Sequence, residues 1–224
     1  YLLTRGQQAR LLSAAGARLR PDEYSHSSIR NLYLDTPDFR LIRRSLEKPV
    51  YKEKLRLRSY GRADREHPVF MELKKKYRSI VYKRRLTLPY GRALDCLTGD
   101  CPWPETQIGR EIGYAMDFYP DLEPRVFLSY ERDSWYAPES GLRITFDDAI
   151  RFRTADLTLD SDLWGTALLR PDQVLMELKA PGAIPLWMVR LLTEMGLYKT
   201  SFSKYGTAYQ ILLEQEYKGG KRYA

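Results

Sequence analysis

Several stretches of this sequence set a cation at every second residue, and two of them carry a glutamate two positions before a lysine. Lys52, Lys54, Arg56 and Arg58 alternate with Tyr51, Glu53, Leu55 and Leu57. Glu72, Lys74, Lys76 and Arg78 follow the same rule against Val69, Met71 and Leu73. Lys83 and Arg85 stand between Ile80, Tyr82 and Leu86, with Arg84 interrupting the pattern. Arg143, Thr145 and Asp147 alternate with Leu142, Ile144 and Phe146, and Glu177 and Lys179 with Val174, Met176 and Leu178. Guanidinium groups fit phosphate oxygens bidentately and stay charged when crowded, while lysines act as adjustable point charges. Carboxylates are poor phosphate ligands but suitable hard-oxygen ligands for a divalent cation. The set matches what phosphoryl transfer needs, which is positioning and neutralisation of charge rather than covalent work by the protein. No serine–histidine or cysteine–histidine nucleophile is visible, and His26 and His67 read as surface residues in loops.

The elements that would hold these residues are many strands and a few helices. Thr4 caps a helix over 4–15 that Gly16 stops. Ile29–Asp35 reads as a strand. Thr36-Pro37-Asp38 then reads as the start of a short helix, with cap, proline at the first helical position and acid in the first turn. Val50–Tyr60, Val69–Arg78 and Ile80–Leu88 are strand-like, 90–98 and 105–118 helical. Val126–Tyr136 and Leu142–Arg153 form a hairpin through Pro138-Glu139-Ser140-Gly141. Val174–Lys179 is a further strand, 185–195 an amphipathic helix, and Ser203 caps a last helix to about 216.

The chain has 224 residues, enough for one large core, and with no Pro-, Gly- or Ser-rich linker a single domain over 1–224 is expected. Hydrophobic residues make up 43%, too many for a disordered chain. Thirty-seven Lys and Arg against 29 Asp and Glu leave a net charge of +8, which either calls for an anionic partner such as nucleic acid, phospholipid, a phosphate ester or polyphosphate or merely reflects solubility. No apolar run approaches the ~20 residues of a spanning helix, and no signal peptide is visible. The start at Tyr1 rather than Met leads to the expectation that a segment precedes it. Cys96 and Cys101, five apart, fit no common zinc spacing and read as two ordinary thiols, consistent with a cytoplasmic protein.

Side chains alternate across a strand, so at least five strands have a charged face backed by an apolar one. A half-buried sheet with solvated charges has the same pattern. These polar faces, however, are charged rather than mixed with Ser, Thr or Gln, and like charges on neighbouring strands repel. If the sheet closes with its charges inward, the lumen becomes a cationic tunnel and the helices cover the apolar outside.

Glu72-Leu73-Lys74-Lys75-Lys76, Lys54-Leu55-Arg56-Leu57-Arg58 and Glu177-Leu178-Lys179 resemble the motifs of the triphosphate tunnel metalloenzymes, the CYTH superfamily. More narrowly, Leu32-Tyr33-Leu34-Asp35-Thr36, Arg56-Leu57-Arg58-Ser59-Tyr60-Gly61, Lys83-Arg84-Arg85, Leu142–Asp147 and Ser201-Phe202-Ser203-Lys204-Tyr205 resemble the VTC-type polyphosphate polymerase domain, over about residues 2–212. The resemblance implies an α+β fold: a closed antiparallel β-barrel, or tunnel, of about eight strands with helices packed outside. It implies transfer of the γ-phosphate of ATP onto polyphosphate with Mn2+ or Mg2+. Arg56, Arg58, Lys74, Arg143 and Lys204 take catalytic positions in that comparison. Lys54, Lys76, Lys83, Arg85, Tyr130, Arg132 and Ser203 line the substrate, and Glu177, Glu72 and Asp147 are the metal candidates. Ser201 departs from the polymerase pattern, which has a lysine there, and the family's N-terminal Glu-x-Lys-Tyr strand would lie upstream of Tyr1.

ATP and polyphosphate or triphosphate are then the partners, with no nucleic acid; polymerases of this kind can belong to a larger membrane assembly, of which these residues show no attachment. A triphosphatase of the same fold and a non-catalytic polyanion-binding module are the alternative readings.

Overall fold

Alternation of cation and aliphatic residue makes each of the charged stretches a strand with one face to bury. The computed structural model describes residues 1–220. In chain order the elements are β1 (Leu2–Thr4), α1 (Arg5–Ala15), β2 (Arg20–Asp35), α2 (Arg40–Leu46), β3 (Tyr51–Tyr60), β4 (Pro68–Tyr77) and β5 (Ile80–Pro89). They continue as α3 (Tyr90–Thr98), α4 (Gln107–Phe118), β6 (Glu123–Ala137), β7 (Leu142–Arg153), β8 (Thr166–Ala167), β9 (Gln173–Lys179), α5 (Leu186–Glu194) and α6 (Lys204–Gly220).

The strands pair in the order β1-β9-β7-β6-β2-β3-β4-β5, with β8 beside β7. The expected closed barrel of about eight strands is therefore wrong: β1 and β5 are the two ends of the order, and the nine-stranded sheet is open. The reason lies at one edge. Closing a sheet requires its first and last strands to ladder along a matched length. β1 offers three residues, all spent on β9 (Leu2↔Leu175, Leu3↔Val174, Thr4↔Gln173), against the ten of β5.

Two compact units divide the chain. One comprises Tyr1–Ser28, Tyr130–Ile150 and Ala167–Phe202; the other comprises Ile29–Ser129, Arg151–Thr166 and the segment from Ser203 onward. In the first unit, Leu142, Ile144 and Phe146 of β7 and Val174 and Met176 of β9 are buried against Leu11 and Ala15 of α1 and Met188 and Leu192 of α5. The Thr4 cap of α1 forms as expected, with Gln7 reciprocating: the Gln7 amide donates to Thr4 Oγ1 at 3.1 Å and the Thr4 amide to Gln7 Oε1 at 2.8 Å.

In the second unit, Leu55 and Leu57 of β3, Val69, Met71 and Leu73 of β4 and Leu88 of β5 form one buried face with Leu32 and Leu34 of β2. Ala93 of α3 and Ile112 and Ala115 of α4 cover it. Arg84, the residue that broke the pattern, lies on this covered face and donates to both oxygens of Glu111 on α4 at 3.0 Å. Glu53, also on the apolar side, is buried and accepts from Tyr119 Oη at 2.6 Å and Tyr51 Oη at 2.9 Å.

Two local expectations shift. The short helix expected from Thr36-Pro37-Asp38 starts at Arg40; Thr36 caps it as expected, accepting from the Arg40 amide at 2.9 Å, and Asp35 shares the task, accepting from the amides of Thr36, Leu41 and Ile42 at 2.8–3.0 Å. The β2 strand begins at Arg20, nine residues before the expected Ile29, so His26 lies in a strand, 2.8 Å from Asp133.

The segment 154–165 has no strand or helix and is gathered by two guanidinium groups, Arg153 and Arg30, the latter donating from Nη1 to the carbonyls of Leu159 and Ser161. Arg153 is buried over the Phe127 ring at 3.6 Å and donates to the carbonyls of Ala155, Asp156, Asp162 and Trp164 at 2.9–3.3 Å.

Leu57 is fully buried at the centre of the second unit's core. Leu57→Ala is expected to cost about 2–5 kcal/mol of stability by leaving a cavity, read as a lower denaturant midpoint with an unchanged slope.

Candidate functional site

Directly opposed residues on antiparallel strands share a face, so the register of the second unit converts alternation into rows. One row runs Tyr33–Arg56–Glu72–Arg85 across β2, β3, β4 and β5. A neighbouring row is Asn31–Arg58–Phe70–Thr87, and on the other side lies Lys54–Lys74–Lys83, followed by Lys52 opposite Lys76. The structure thus brings Lys54, Arg56, Arg58, Glu72, Lys74, Lys76, Lys83 and Arg85 onto one face, as the sequence led one to expect.

Glu72 organises this face. It is 2% exposed. Its Oε2 accepts from Arg56 Nε at 2.7 Å and Nη2 at 2.6 Å. Its Oε1 accepts from Arg85 Nε and Nη2 at 2.8 and 2.6 Å and from Lys83 Nζ at 2.7 Å. Burial alone would raise the Glu72 pKa, but Arg56, then Arg58 and Lys83, outweigh it and hold the carboxyl far below the usual range. A divalent ion at Glu72 would have to displace these donors.

Arg58 is buried and donates from Nε to Asn31 Oδ1 at 2.9 Å; Asn31 Nδ2 in turn donates to the Leu128 carbonyl at 3.0 Å. Arg56 Nη1 donates to Tyr33 Oη at 3.1 Å. Burial would raise the Tyr33 phenol, yet Arg56, Lys54 and Arg58 bring it below its ordinary value. Tyr33 stacks on Tyr205 at 4.5 Å between centroids, and Tyr205 Oη donates to Asp35 at 2.8 Å. Asp35 thereby fixes α2, the first turn of α6 and, through Tyr205, the Tyr33–Arg56 contact. Asn31, Tyr33, Asp35 and Tyr205 are the residues sequence reasoning missed as site positions. Their signal was parity: Asn31 and Tyr33 alternate with Leu32 and Leu34 just as Arg56 and Arg58 alternate with Leu55 and Leu57.

The N-terminus of α6 meets the same face. Ser203 Oγ accepts from the Gly206 amide at 3.1 Å, so it caps the helix as expected, and it accepts from Lys54 Nζ at 3.1 Å. Lys204 is the half-buried first residue of α6. Burial lowers the pKa of Lys54, and it lowers that of Lys83 despite the opposing pull of Glu72.

The remaining expected residues belong to the first unit. Asp147 is completely buried and takes Arg132 bidentately, from Nε at 2.6 Å and Nη2 at 2.7 Å. Arg132 also stands over the Tyr130 ring at 5.2 Å. Arg143 lies opposite Lys179 and donates to Asp22 at 2.6 Å. Glu177 lies opposite Thr145, whose buried Oγ1 has no hydrogen-bond partner among the described residues. Burial lowers the Lys179 pKa, with Glu177 opposing. Among the described residues no group of three or more His, Cys, Asp or Glu side chains could by itself hold a metal ion.

The VTC domain family model matches residues 1–213, through both units. No curated protein sequence matches the chain. Among solved structures, a "putative adenylate cyclase" from Bacillus halodurans is 16% identical with a TM-score of 0.54, over 90% of each chain. A "putative adenylyl cyclase" from Hippeastrum, described as revealing a dominant triphosphatase activity, is 16% identical with a TM-score of 0.51, over 91% of this chain and 90% of its own. At this identity the likeness is one of fold.

Glu72 supplies stability that is present above about pH 4.5 and is lost as pH falls toward its depressed folded-state pKa. Glu72→Gln is expected to cost about 2–3 kcal/mol at neutral pH, because the three cations lose their shared charge. Its unfolding midpoint is expected to vary less than that of the parent chain between pH 5 and pH 2.5.

Proposed function

Because the chain belongs to the VTC domain family, we propose that it is a metal-dependent phosphotransferase that lengthens polyphosphate from ATP. In the reaction the terminal oxygen of the chain forms a bond to the γ-phosphorus of ATP, the β–γ bridging bond breaks, and ADP leaves. The observation that carries this reading is the face of β3–β5, where Lys54, Arg56, Arg58, Lys74, Lys83 and Arg85 stand with the single carboxylate Glu72. Such a surface neutralises a chain of phosphates, and charge-assisted hydrogen bonds of about 1.5–3 kcal/mol each supply the grip.

Roles follow from position. Arg56 and Arg58, each oriented by a neutral partner on β2, hold phosphate oxygens bidentately. Lys74, Lys76, Lys83 and Arg85 extend the contact along the face, and Lys54, Ser203 and Lys204 complete it at the start of α6. In the first unit, Arg132 and Arg143 bind anionic oxygens beside Tyr130.

Glu177 fits a hard divalent ion such as Mn2+ or Mg2+. It is an oxygen donor paired across the strands with Thr145, whose buried hydroxyl has no partner among the described residues, and such ions take one or two protein oxygens with the rest from phosphates and water. When bound, the ion supplies Lewis acidity to the phosphoryl oxygens. Asp147 and Glu72, expected with Glu177 as metal ligands, each have both oxygens on cations, and their assigned role is to orient Arg132, Arg56, Lys83 and Arg85.

Hydrolysis of a triphosphate is the second reading, favoured by the triphosphatase activity described for the Hippeastrum structure. The two readings differ in whether water or a phosphate chain attacks.

Incubation with ATP and Mn2+ is expected to give a ladder of polyphosphate on a gel together with ADP. Free phosphate equal to the ADP, with no polymer, would establish the hydrolase instead, and neither product would leave a binding module. Lys74 is exposed, so Lys74→Ala keeps the fold and is expected to lower kcat/KM about tenfold, equivalent to ~1.4 kcal/mol of lost transition-state binding. Since Lys54 and Lys83 lose their protons below the ordinary 10.5, tripolyphosphate affinity measured by calorimetry is expected to weaken through the alkaline range before that value is reached.

A further inference from the structure

We propose that Cys96 and Cys101 are a dithiol that closes to a disulfide by exchange with a low-molecular-weight disulfide. The two thiols are free, and their sulfurs stand 2.9 Å apart. That is closer than non-bonded heavy atoms ordinarily pack and within about 1 Å of a covalent S–S bond.

The approach is built into the end of α3. Gly99 takes φ 86° as the left-handed cap. The amides of Gly99, Asp100 and Cys101 then turn back onto the single carbonyl of Asp95. This return lays Cys101 over the last helical turn, beside the buried Cys96. Thiols five residues apart at this turn can therefore meet with no motion of either helix. A metal does not account for the pair, because a structural zinc site needs four ligands and no third His, Cys, Asp or Glu joins the two sulfurs among the described residues.

The two cysteines differ in the way stepwise exchange requires. Cys101 is partly exposed, whereas Cys96 is buried, at 5% exposed. The Cys101 thiolate attacks one sulfur of the small disulfide, forming a mixed disulfide and releasing one small thiol. Cys96 sulfur then attacks Cys101 Sγ, giving up its proton, and the second small thiol leaves; the small disulfide is reduced and the dithiol oxidised. The product ties the end of α3 to the turn at Pro102-Trp103 that leads to α4, on the helical layer that backs β4 and β5.

The folded full chain is incubated with oxidised glutathione, quenched in acid, denatured, alkylated and weighed by mass spectrometry. The expected product has lost two hydrogens, carries neither alkyl group nor glutathione, and recovers both alkylation sites after dithiothreitol. The Cys96→Ser chain is expected to retain one glutathione on its remaining cysteine. A wild-type chain that takes up two alkyl groups after oxidation, or that keeps glutathione on Cys101, overturns the proposal. If Cys96→Ser does not fold, the wild-type masses alone decide.

Discussion

Like charges on adjacent strands repel, and on β3–β5 one buried carboxylate answers that repulsion. Glu72 draws Arg56 from one neighbouring strand and Lys83 and Arg85 from the other, so the charge that would drive the three strands apart is turned into lateral attraction between them. The apolar back makes this possible. Leu55, Leu57, Met71 and Leu73 fix which way every side chain points, since a slip of one residue would exchange the charged and buried faces. The cation rows are thus a consequence of hydrophobic burial on the opposite side, and the carboxylate makes them tolerable.

A second layer of support is polar and neutral. Asn31 and Tyr33 occupy the same face of β2 and receive hydrogen bonds from Arg58 and Arg56. A neutral acceptor orients a guanidinium without cancelling its charge. Arg56 receives both kinds of support, Tyr33 on Nη1 and the Glu72 carboxylate on Nε and Nη2. The face therefore orients its guanidinium groups through neutral and charged acceptors together.

The legibility of the molecule follows from what each signal depends on. Period two in residues 51–88 reported β3, β4 and β5 and their faces, because burial of one side of a strand writes itself directly on the sequence. The Thr4 and Ser203 caps were legible for a similar reason, being local. Closure was not legible: whether a sheet joins its own ends depends on the length of its edge strands, and β1 proved to be three residues long. Asp35 was invisible as a helix cap because the turn Thr36–Phe39 separates it from the helix it serves. Arg84 looked like an error in the alternation; it and Glu53 are polar residues answered from beyond their strands by Glu111 and Tyr119, with Tyr51 of β3 also donating to Glu53. Glu111 and Tyr119 are distant in sequence and leave no periodic trace. The charged residues of the first unit were identified by type and order, but that Asp147 is committed to Arg132 while Glu177 is paired across the strands with Thr145 depends on register.

The segment 154–165 depends on buried cations in another form. Its backbone carbonyls have no ladder of their own; four of them converge on the Arg153 guanidinium pressed against an aromatic ring, and those of Leu159 and Ser161 on Arg30. Five N–H groups set in a plane are what allow one side chain to gather so many acceptors; an ammonium at position 153 would reach fewer of them and would not lie flat on Phe127. The ordering of a dozen residues without secondary structure is thereby concentrated in two cations, so the segment's conformation depends on residues 30 and 153 as well as on its own sequence.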